Sequence, residues 1–280
     1  MRETAYNIAK QSGSSFFYAF NLLPSPKREA LNAIYSFCRL SDDIVDDWSN
    51  SNNAKAQRLL KWKVEFAEAL NGKSSNEYLN FVVKYILQYN IPVRYFFELL
   101  DGMQMDLHKR RYETFDELLE YCYKAASTVG LMCIEVFGYQ SPSARDYAIN
   151  LGYAMQLTNI IRDAYKDAEM DRIYIPLEDI NEFNVSENDF KNKTFDDRIK
   201  NLLAKQALRA KKFFELAELS LDFYDRKNMF AGEAMRKIYF RLLQKIEEYD
   251  YNVLNSNVKV TFFEKISVAL KTWLKSVLIY

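Results

Sequence analysis

Only seven glycines and five prolines punctuate 280 residues, and between them apolar side chains recur three and four positions apart. A chain so poor in turn residues reads as all-α. Ser25-Pro26 has the form of an N-cap followed by proline in the first turn. It opens a helix through Ala30, Ile34, Phe37, Cys38 and Ser41. Trp48 to Asn53 reads as a polar loop, and Leu59, Leu60, Val64, Ala67 and Leu70 form the next stripe, ended by Gly72. Further helices are predicted from about Asn76 to Tyr89, from Pro92, and from the capping-box spacing Thr114-Phe115-Asp116-Glu117 through Tyr121, Ala125, Thr128 and Met132 to Gly138. Ser141-Pro142 repeats the cap-plus-proline signal before a helix from Ala144 to about Asp167. A short capped segment at Ser186 precedes long helices from about Arg198 to Tyr224 and from Ala231 to Asp250. No repeat, low-complexity tract or long linker divides the chain, so residues 1–280 form one helical domain in this reading.

Composition removes several classes of function. Lys+Arg and Asp+Glu are both 38, so no overall basic excess points to nucleic acid. The three cysteines, Cys38, Cys122 and Cys133, lack CxxC spacing, which argues against a disulfide framework or a zinc site. A single histidine, His108, leaves little material for Ser-His or multi-histidine metal chemistry. The polar start lacks a signal-peptide pattern, and apolar runs break well short of the roughly 20 residues needed to span a bilayer. A cytoplasmic protein is expected, with peripheral attachment to the inner face of the membrane as a variant of that reading.

Two acidic clusters stand out. Asp42-Asp43-Ile44-Val45-Asp46-Asp47 follows the first long helix, and Gln156, Asn159, Asp163 and Asp167 lie three, four and four residues apart on a later one. Residues so spaced share a helix face. Tyr35 and Arg39 extend the first stripe toward Asp42 and Asp46 by the same steps. Carboxylate and amide oxygens are hard ligands for Mg²⁺, which takes its remaining ligands from water and phosphate. Arg39, Arg162 and Arg172 can pair with phosphate oxygens bidentately, or with neighbouring aspartates. Two such faces opposed across a pocket would hold Mg²⁺ and diphosphate, and so stabilise a leaving group.

At these residues the chain resembles the squalene/phytoene synthase family of head-to-head prenyl transferases. The resemblance runs through residues 12–20 (SGSSFFYAF), 34–39 (IYSFCR), 42–46 (DDIVD), 101–107 (DGMQMDL), 111–115 (RYETF), 121–123 (YCY) with Val129-Gly130, 156–163 (QLTNIIRD) and 172–176 (RIYIP). It implies an isoprenoid-synthase helical bundle around a central cavity, with Mg²⁺ on Asp42, Asp46, Asn159, Asp163 and Asp167. Arg39, Arg162 and Arg172 would hold diphosphate. Tyr35, Tyr121, Tyr174 and Tyr239 would stand near the diphosphates or the carbocation, Ser15 and Phe16 would help close the site, and Val129 and Gln156 would contact substrate. The opening, the DGMQMDL segment and Lys271-Thr272-Trp273 look most like bacterial members that make presqualene diphosphate. The expected reaction therefore joins two farnesyl diphosphates, with onward conversion to squalene or dehydrosqualene as an extension. Two geranylgeranyl diphosphates giving phytoene, and a non-catalytic member that binds a partner enzyme, are the alternatives. Chain length would depend on residues such as Phe16, Phe20, Ala125, Val129, Cys133 and Met155. NADPH is expected to be unused or confined to a second half-reaction, and nothing here sets the oligomeric state.

Three departures accompany the resemblance. Tyr165-Lys166 stands where the family has Gly-Glu, Ser256 and Asn257 where it often has arginine (with Lys259 the nearest cation), and Lys124 where eukaryotic squalene synthases have tyrosine. The tail from Phe262 to Leu278 is amphipathic, with Lys265, Lys271 and Lys275 between apolar residues. It reads as a helix docked on the bundle, or as a reversible membrane attachment.

Overall fold

Polar caps and left-handed residues cut the chain into helices joined by short turns. The computed structural model describes residues 1–11, 15–47, 49–254 and 258–279. In chain order its α-helices are α1 (Arg2–Gln11), α2 (Ser15–Phe20), α3 (Ser25–Val45), α4 (Asn52–Leu70), α5 (Glu77–Gln88), α6 (Arg94–His108) and α7 (Phe115–Cys122). They continue as α8 (Thr128–Phe137), α9 (Ala144–Glu169), α10 (Leu177–Glu182), α11 (Glu187–Lys191), α12 (Asp197–Ser220), α13 (Phe230–Glu248) and α14 (Phe262–Leu278). No strand occurs among the described residues. The fold is the all-α arrangement expected from the periodicity.

Boundaries follow local chemistry. Asn76 caps α5 by accepting from Tyr78 N and Leu79 N at 3.1 and 3.2 Å, and Thr114 caps α7 through Glu117 N at 3.3 Å. With so few glycines, several helices stop at a left-handed Asn, Asp or Lys, as at Asn90, Asp171, Asn184 and Lys193. Two proline signals act differently from expectation. Ser25 is the first residue of α3 rather than its cap; Pro24 is the cap residue, and the Ser25 hydroxyl donates to Glu29 at 3.2 Å. Ser141 lies two residues before the α9 cap, Ser143, whose N–H donates to the Ser141 hydroxyl at 3.4 Å. The loop read as Trp48 to Asn53 is shorter, because Ser51 caps α4 through Ala54 N; Trp48 lies outside the described residues.

Packing fixes α3, which carries the first acidic stripe. Phe37 of α3, Phe66 of α4 and Phe96 of α6 are fully buried, with ring centroids 4.9, 5.3 and 5.5 Å apart. Each ring contributes about 1.5–3 kcal/mol by burial, so the inner face of α3 is firmly held. α9, which carries the second stripe, packs most extensively against α12. The segment after α9 is tied back to residues 110–113: Ile173 N donates to Arg110 O at 3.0 Å and Leu177 N to Tyr112 O at 2.8 Å. Arg111 bridges Glu187 at 2.6 Å and Asp171 at 2.9 Å. That seam sets the positions of Arg172 and Tyr174.

The apolar period from Thr114 to Gly138 hides an interruption. Between α7 and α8 the helix widens into a π segment, Tyr123–Ser127. Thr128 Oγ1 donates to Lys124 O at 2.7 Å and Ser127 Oγ to Ile149 O at 2.8 Å, which occupies carbonyls near the widened turn. Gly152 of α9 allows the segment to sit close: a Cβ there would lie 2.4 Å from Ser127 Cα and 2.7 Å from Ser127 N. These are backbone atoms and cannot swing aside. Gly152→Ala is therefore expected to destabilise the protein by about 3 kcal/mol, the upper part of the overpacking range. Urea unfolding measures it, and a loss under about 1 kcal/mol would contradict the close approach.

Candidate active site

α3 places Asp42 and Asp43 in its last turn, and α9 places Asp167 in its last turn with Asp163 one turn before it. Negative charge at a helix C-terminus opposes the macrodipole, at about 0.3–1 kcal/mol per charge. A cation is the natural partner for such an arrangement. Between the helices lies a cavity of about 240 Å³. Its polar end is made by Tyr35, Arg39 and Asp42 of α3, Gln156 and Asn159 of α9, and Tyr239 of α13. The rest is apolar, with Phe20, Met103, Val129, Cys133, Met155 and Met235 on the wall. Burial pushes the Cys133 thiol up to about 12 and raises Cys38 still further, so both thiols act as neutral wall rather than nucleophile.

The expected arginines and the other aspartates gather around that polar end. Arg172 Nη1 pairs with Asp46 at 3.0 Å across 126 positions of sequence, and so joins the segment after α9 to the residue that caps α3. Arg39 bridges Asp42 at 3.3 Å and Asp43 at 2.6 Å, and Arg162 is paired through two nitrogens with Asp163. All three guanidinium groups are thus held on aspartates here. Asp42 opens toward solvent with 36% of its side chain exposed, yet lies deep among protein atoms. Burial first, then the Asp46 charge, lifts its carboxyl to about 7, against the pull of Arg39. Burial and Asp163 do the same to Asp167, also to about 7, against Arg172 and Lys166.

Tyr121 and Tyr174 are not among the residues that line the cavity. They form a buried stack with Tyr112, with centroids 5.0 to 5.9 Å apart. Their hydroxyls donate to one buried carboxylate, Asp106 of α6, at 3.0 and 2.7 Å. Asp106 also lies in the fields of Arg172 and Asp46, and burial lifts it to about 6. This hub was not singled out from sequence. Asp106 falls inside the DGMQMDL segment, but no period links it to tyrosines 15 and 68 positions away.

A divalent cation fits the donor set in one particular way. Among the described residues no group of three or more His, Cys, Asp or Glu converges on a point; each helix offers its own few oxygens. The buried Oδ1 of Asn159 has no hydrogen-bond partner among the described residues, and its side chain hydrogen-bonds Tyr239. An orphaned hard oxygen beside carboxylates raised by burial, and then by neighbouring aspartates, suits a cation whose remaining ligands come from phosphate.

The departures take definite places. Tyr165 turns away from the site: its hydroxyl donates to Thr194 O at 2.6 Å and its ring packs on Phe190. Lys166 is exposed and acts on the site through its charge beside Asp167. Lys124 pairs with Glu120 at 2.7 Å. Lys259 borders a second cavity of about 230 Å³ together with Arg162, Tyr239 and Lys265. The side chains of Ser15 and Phe16, and residues Ser256 and Asn257, lie outside the described residues.

Known proteins share this architecture. The squalene/phytoene synthase family model matches residues 9–264. A 15-cis-phytoene synthase from Synechocystis sp. is 33% identical over 98% of this chain and 86% of its own, and phytoene synthase 1 of Arabidopsis thaliana is 32% identical over 94% of this chain and 64% of its own. A dehydrosqualene synthase crystal structure superposes with a TM-score of 0.85 at 28% identity, covering 98% of this chain and 96% of that one. A squalene synthase from Alicyclobacillus acidocaldarius shares the fold at a TM-score of 0.77 and 22% identity, over 90% of this chain and 96% of that one. With the family model spanning nearly the whole length, the chain belongs to the squalene/phytoene synthases, prenyltransferases that join two prenyl diphosphates head to head.

Proposed function

We propose that the protein condenses two geranylgeranyl diphosphates to phytoene. The observation that carries this is the one-third identity to a cyanobacterial phytoene synthase over nearly the whole chain, and it moves the expectation away from the two farnesyl diphosphates favoured by sequence motifs. The C15 reaction stays as a second reading because of the likeness to a dehydrosqualene synthase structure at 28% identity.

The residues divide the work. Arg39, Arg162 and Arg172 are placed to exchange an aspartate for a diphosphate oxygen. Asp42 and Asp46 on one side, with Asn159, Asp163 and Asp167 on the other, would hold Mg²⁺, which supplies positive charge to the leaving diphosphate. The apolar wall excludes water that would quench a carbocation. One substrate loses diphosphate at C1, the 2,3 double bond of the second attacks that carbon, and a proton leaves to close a cyclopropane. Loss of the second diphosphate, rearrangement and loss of another proton give phytoene, and no reductant enters. Tyr121 and Tyr174, held by Asp106 behind the cavity wall, would act on the site by positioning Arg172 and its neighbours rather than by touching the cation.

The test offers both diphosphates with Mg²⁺, with and without NADPH, and extracts the products. A C40 product independent of NADPH is expected. A higher kcat/KM for farnesyl diphosphate would select the C15 reading. If neither substrate releases pyrophosphate and calorimetry finds no Mg²⁺-dependent diphosphate binding, the non-catalytic alternative holds.

A further inference from the structure

The apolar end of the main cavity is closed by a polar contact. Along α9 the cavity wall runs from Asn159 through Gln156, Gly152 and Ala148 to Tyr147. Asn159 and Tyr147 are twelve positions apart, about 18 Å along the helix axis. Tyr147 therefore stands at the end opposite the arginines and aspartates, where Ala231 and Gly232 of α13 complete the wall. Its side chain is buried, and its hydroxyl donates to Glu233 Oε1 at 3.2 Å. Glu233 is a buried carboxylate that borders a separate groove of about 80 Å³. Arg236 grips the same carboxylate through two nitrogens, at 2.9 and 3.2 Å. A Cβ at Gly232 would lie 2.8 Å from the Tyr147 hydroxyl and 3.3 Å from its Cε1, so glycine leaves the phenol its path to Glu233. Burial first, then the Glu233 charge, raises the hydroxyl well above the ordinary phenol value, which keeps it a donor across the neutral range. The neighbouring turns are fixed as well. Lys27 Nζ donates to Phe137 O at 2.6 Å, and Asp225 accepts from Gln140 N and Ser141 N at 2.7 and 3.0 Å.

We infer, on the reading of this cavity as a prenyl diphosphate site, that Tyr147 is the floor that limits the length of prenyl chain admitted, and that Glu233 is the positioning residue that holds it there. A substrate fixed by its diphosphate at the polar end extends down the cavity toward Tyr147. The wall on the way is adaptable, because Met103, Met155 and Met235 have several rotatable bonds and repack around different shapes. Tyr147 does not yield in that way. Displacing its ring breaks the bond to Glu233 and leaves a buried hydroxyl without its acceptor, a loss that apolar contact with a longer chain does not restore. The floor is thus stiff because it is hydrogen-bonded, and the groups that stiffen it, Glu233 and Arg236, lie on the groove side, out of reach of the substrate.

Steady-state kcat/KM of the full chain with Mg²⁺ and the C15, C20 and C25 prenyl diphosphates, each offered singly, tests this. Tyr147→Leu keeps an apolar side chain and shortens it. It should raise kcat/KM for the C25 diphosphate relative to the C20 by about tenfold or more, the discrimination carried by a blocked methylene or more. Glu233→Ala should move the same ratio in the same direction by about threefold or more. Arg236 keeps Glu218 at 3.1 Å in that variant, so its charge retains a partner. Glu233→Gln gives the phenol an acceptor again and should return the ratio to that of the parent. A purely structural role would lower all three lengths in proportion. Equal losses for every length in Tyr147→Leu overturn the proposal, and so does a Glu233→Gln ratio shifted as far as that of Glu233→Ala. If the parent prefers farnesyl diphosphate, the phytoene reading fails by itself, and the floor is then scored on the C20-to-C15 ratio. A rise in that ratio in Tyr147→Leu supports the floor, and an unchanged one overturns it.

Discussion

Asp42→Asn and Asp163→Asn should each slow pyrophosphate release by about 10² to 10³, the usual effect of removing one preorganised electrostatic contact to a developing charge. Asparagine keeps the shape and one acceptor oxygen but removes the charge. In the ligand-free protein the same change costs little. Arg39 keeps Asp43 at 2.6 Å when Asp42 is neutralised, and Arg162 keeps the field of Asp167 when Asp163 is. Asp42 also opposes the dipole at a helix C-terminus, so neutralising it should leave the melting temperature equal or slightly higher, and neutralising Asp163 should leave it about equal. Activity and stability should thus part company. Turnover within a factor of about three of the parent in both variants would remove these acids from the mechanism.

Asp106→Asn should reduce turnover by about 10², through a different route. It leaves Asp42, Asp46, Asp163 and Asp167 in place and withdraws the charge that orients the hydroxyls of Tyr121 and Tyr174. A pH dependence of stability identifies this role. Burial raises the folded-state value of Asp106 to about 6, above the ordinary aspartate value of about 3.9. Below about pH 4 the group is protonated in both states and contributes no difference. Between about pH 4 and 6 the folded state holds the proton more tightly, so the parent loses stability as pH rises. Above about pH 6 the full penalty is present. The asparagine variant should therefore gain on the parent by about 1–3 kcal/mol between roughly pH 4.5 and roughly pH 7 in urea melts without Mg²⁺. A flat difference across that range would mean that Asp106 is not a buried carboxylate under strain, and a parent-like rate would remove it as a positioning residue.

Much of this was legible in the sequence, for local reasons. A helix writes its faces into spacings of three and four, so the stripes Tyr35 to Asp46 and Gln156 to Asp167 are visible along the chain. Caps such as Asn76 and Thr114 are likewise local. Ser25 and Ser141 misled because serine before proline is equally at home just outside or just inside a first turn. Distant partnerships leave no period. The meeting of Asp106 with Tyr121 and Tyr174, and of Arg172 with Asp46, depends on the seam between residues 110–113 and 173–177. α14 was visible as an amphipathic helix, but a wheel does not tell which face docks. Burial went to Ala269, Thr272 and Ser276 because small side chains allow a close approach to α13.

The π segment at Tyr123–Ser127 also bears on how relatives of this chain are compared. A π turn takes in about one residue more than an α turn, and each residue rotates a helix by about 100°. Tyr121 before the segment turns toward Asp106, while Val129, Gly130 and Cys133 after it turn toward the cavity. That division is a matter of phase, not of composition. A relative with one residue fewer between Tyr121 and Val129 would keep the same hydrophobic content and the same apparent helix, yet offer a different set of side chains to its substrate. In an alignment the change would look like a trivial gap, although it would re-index a whole wall of the cavity.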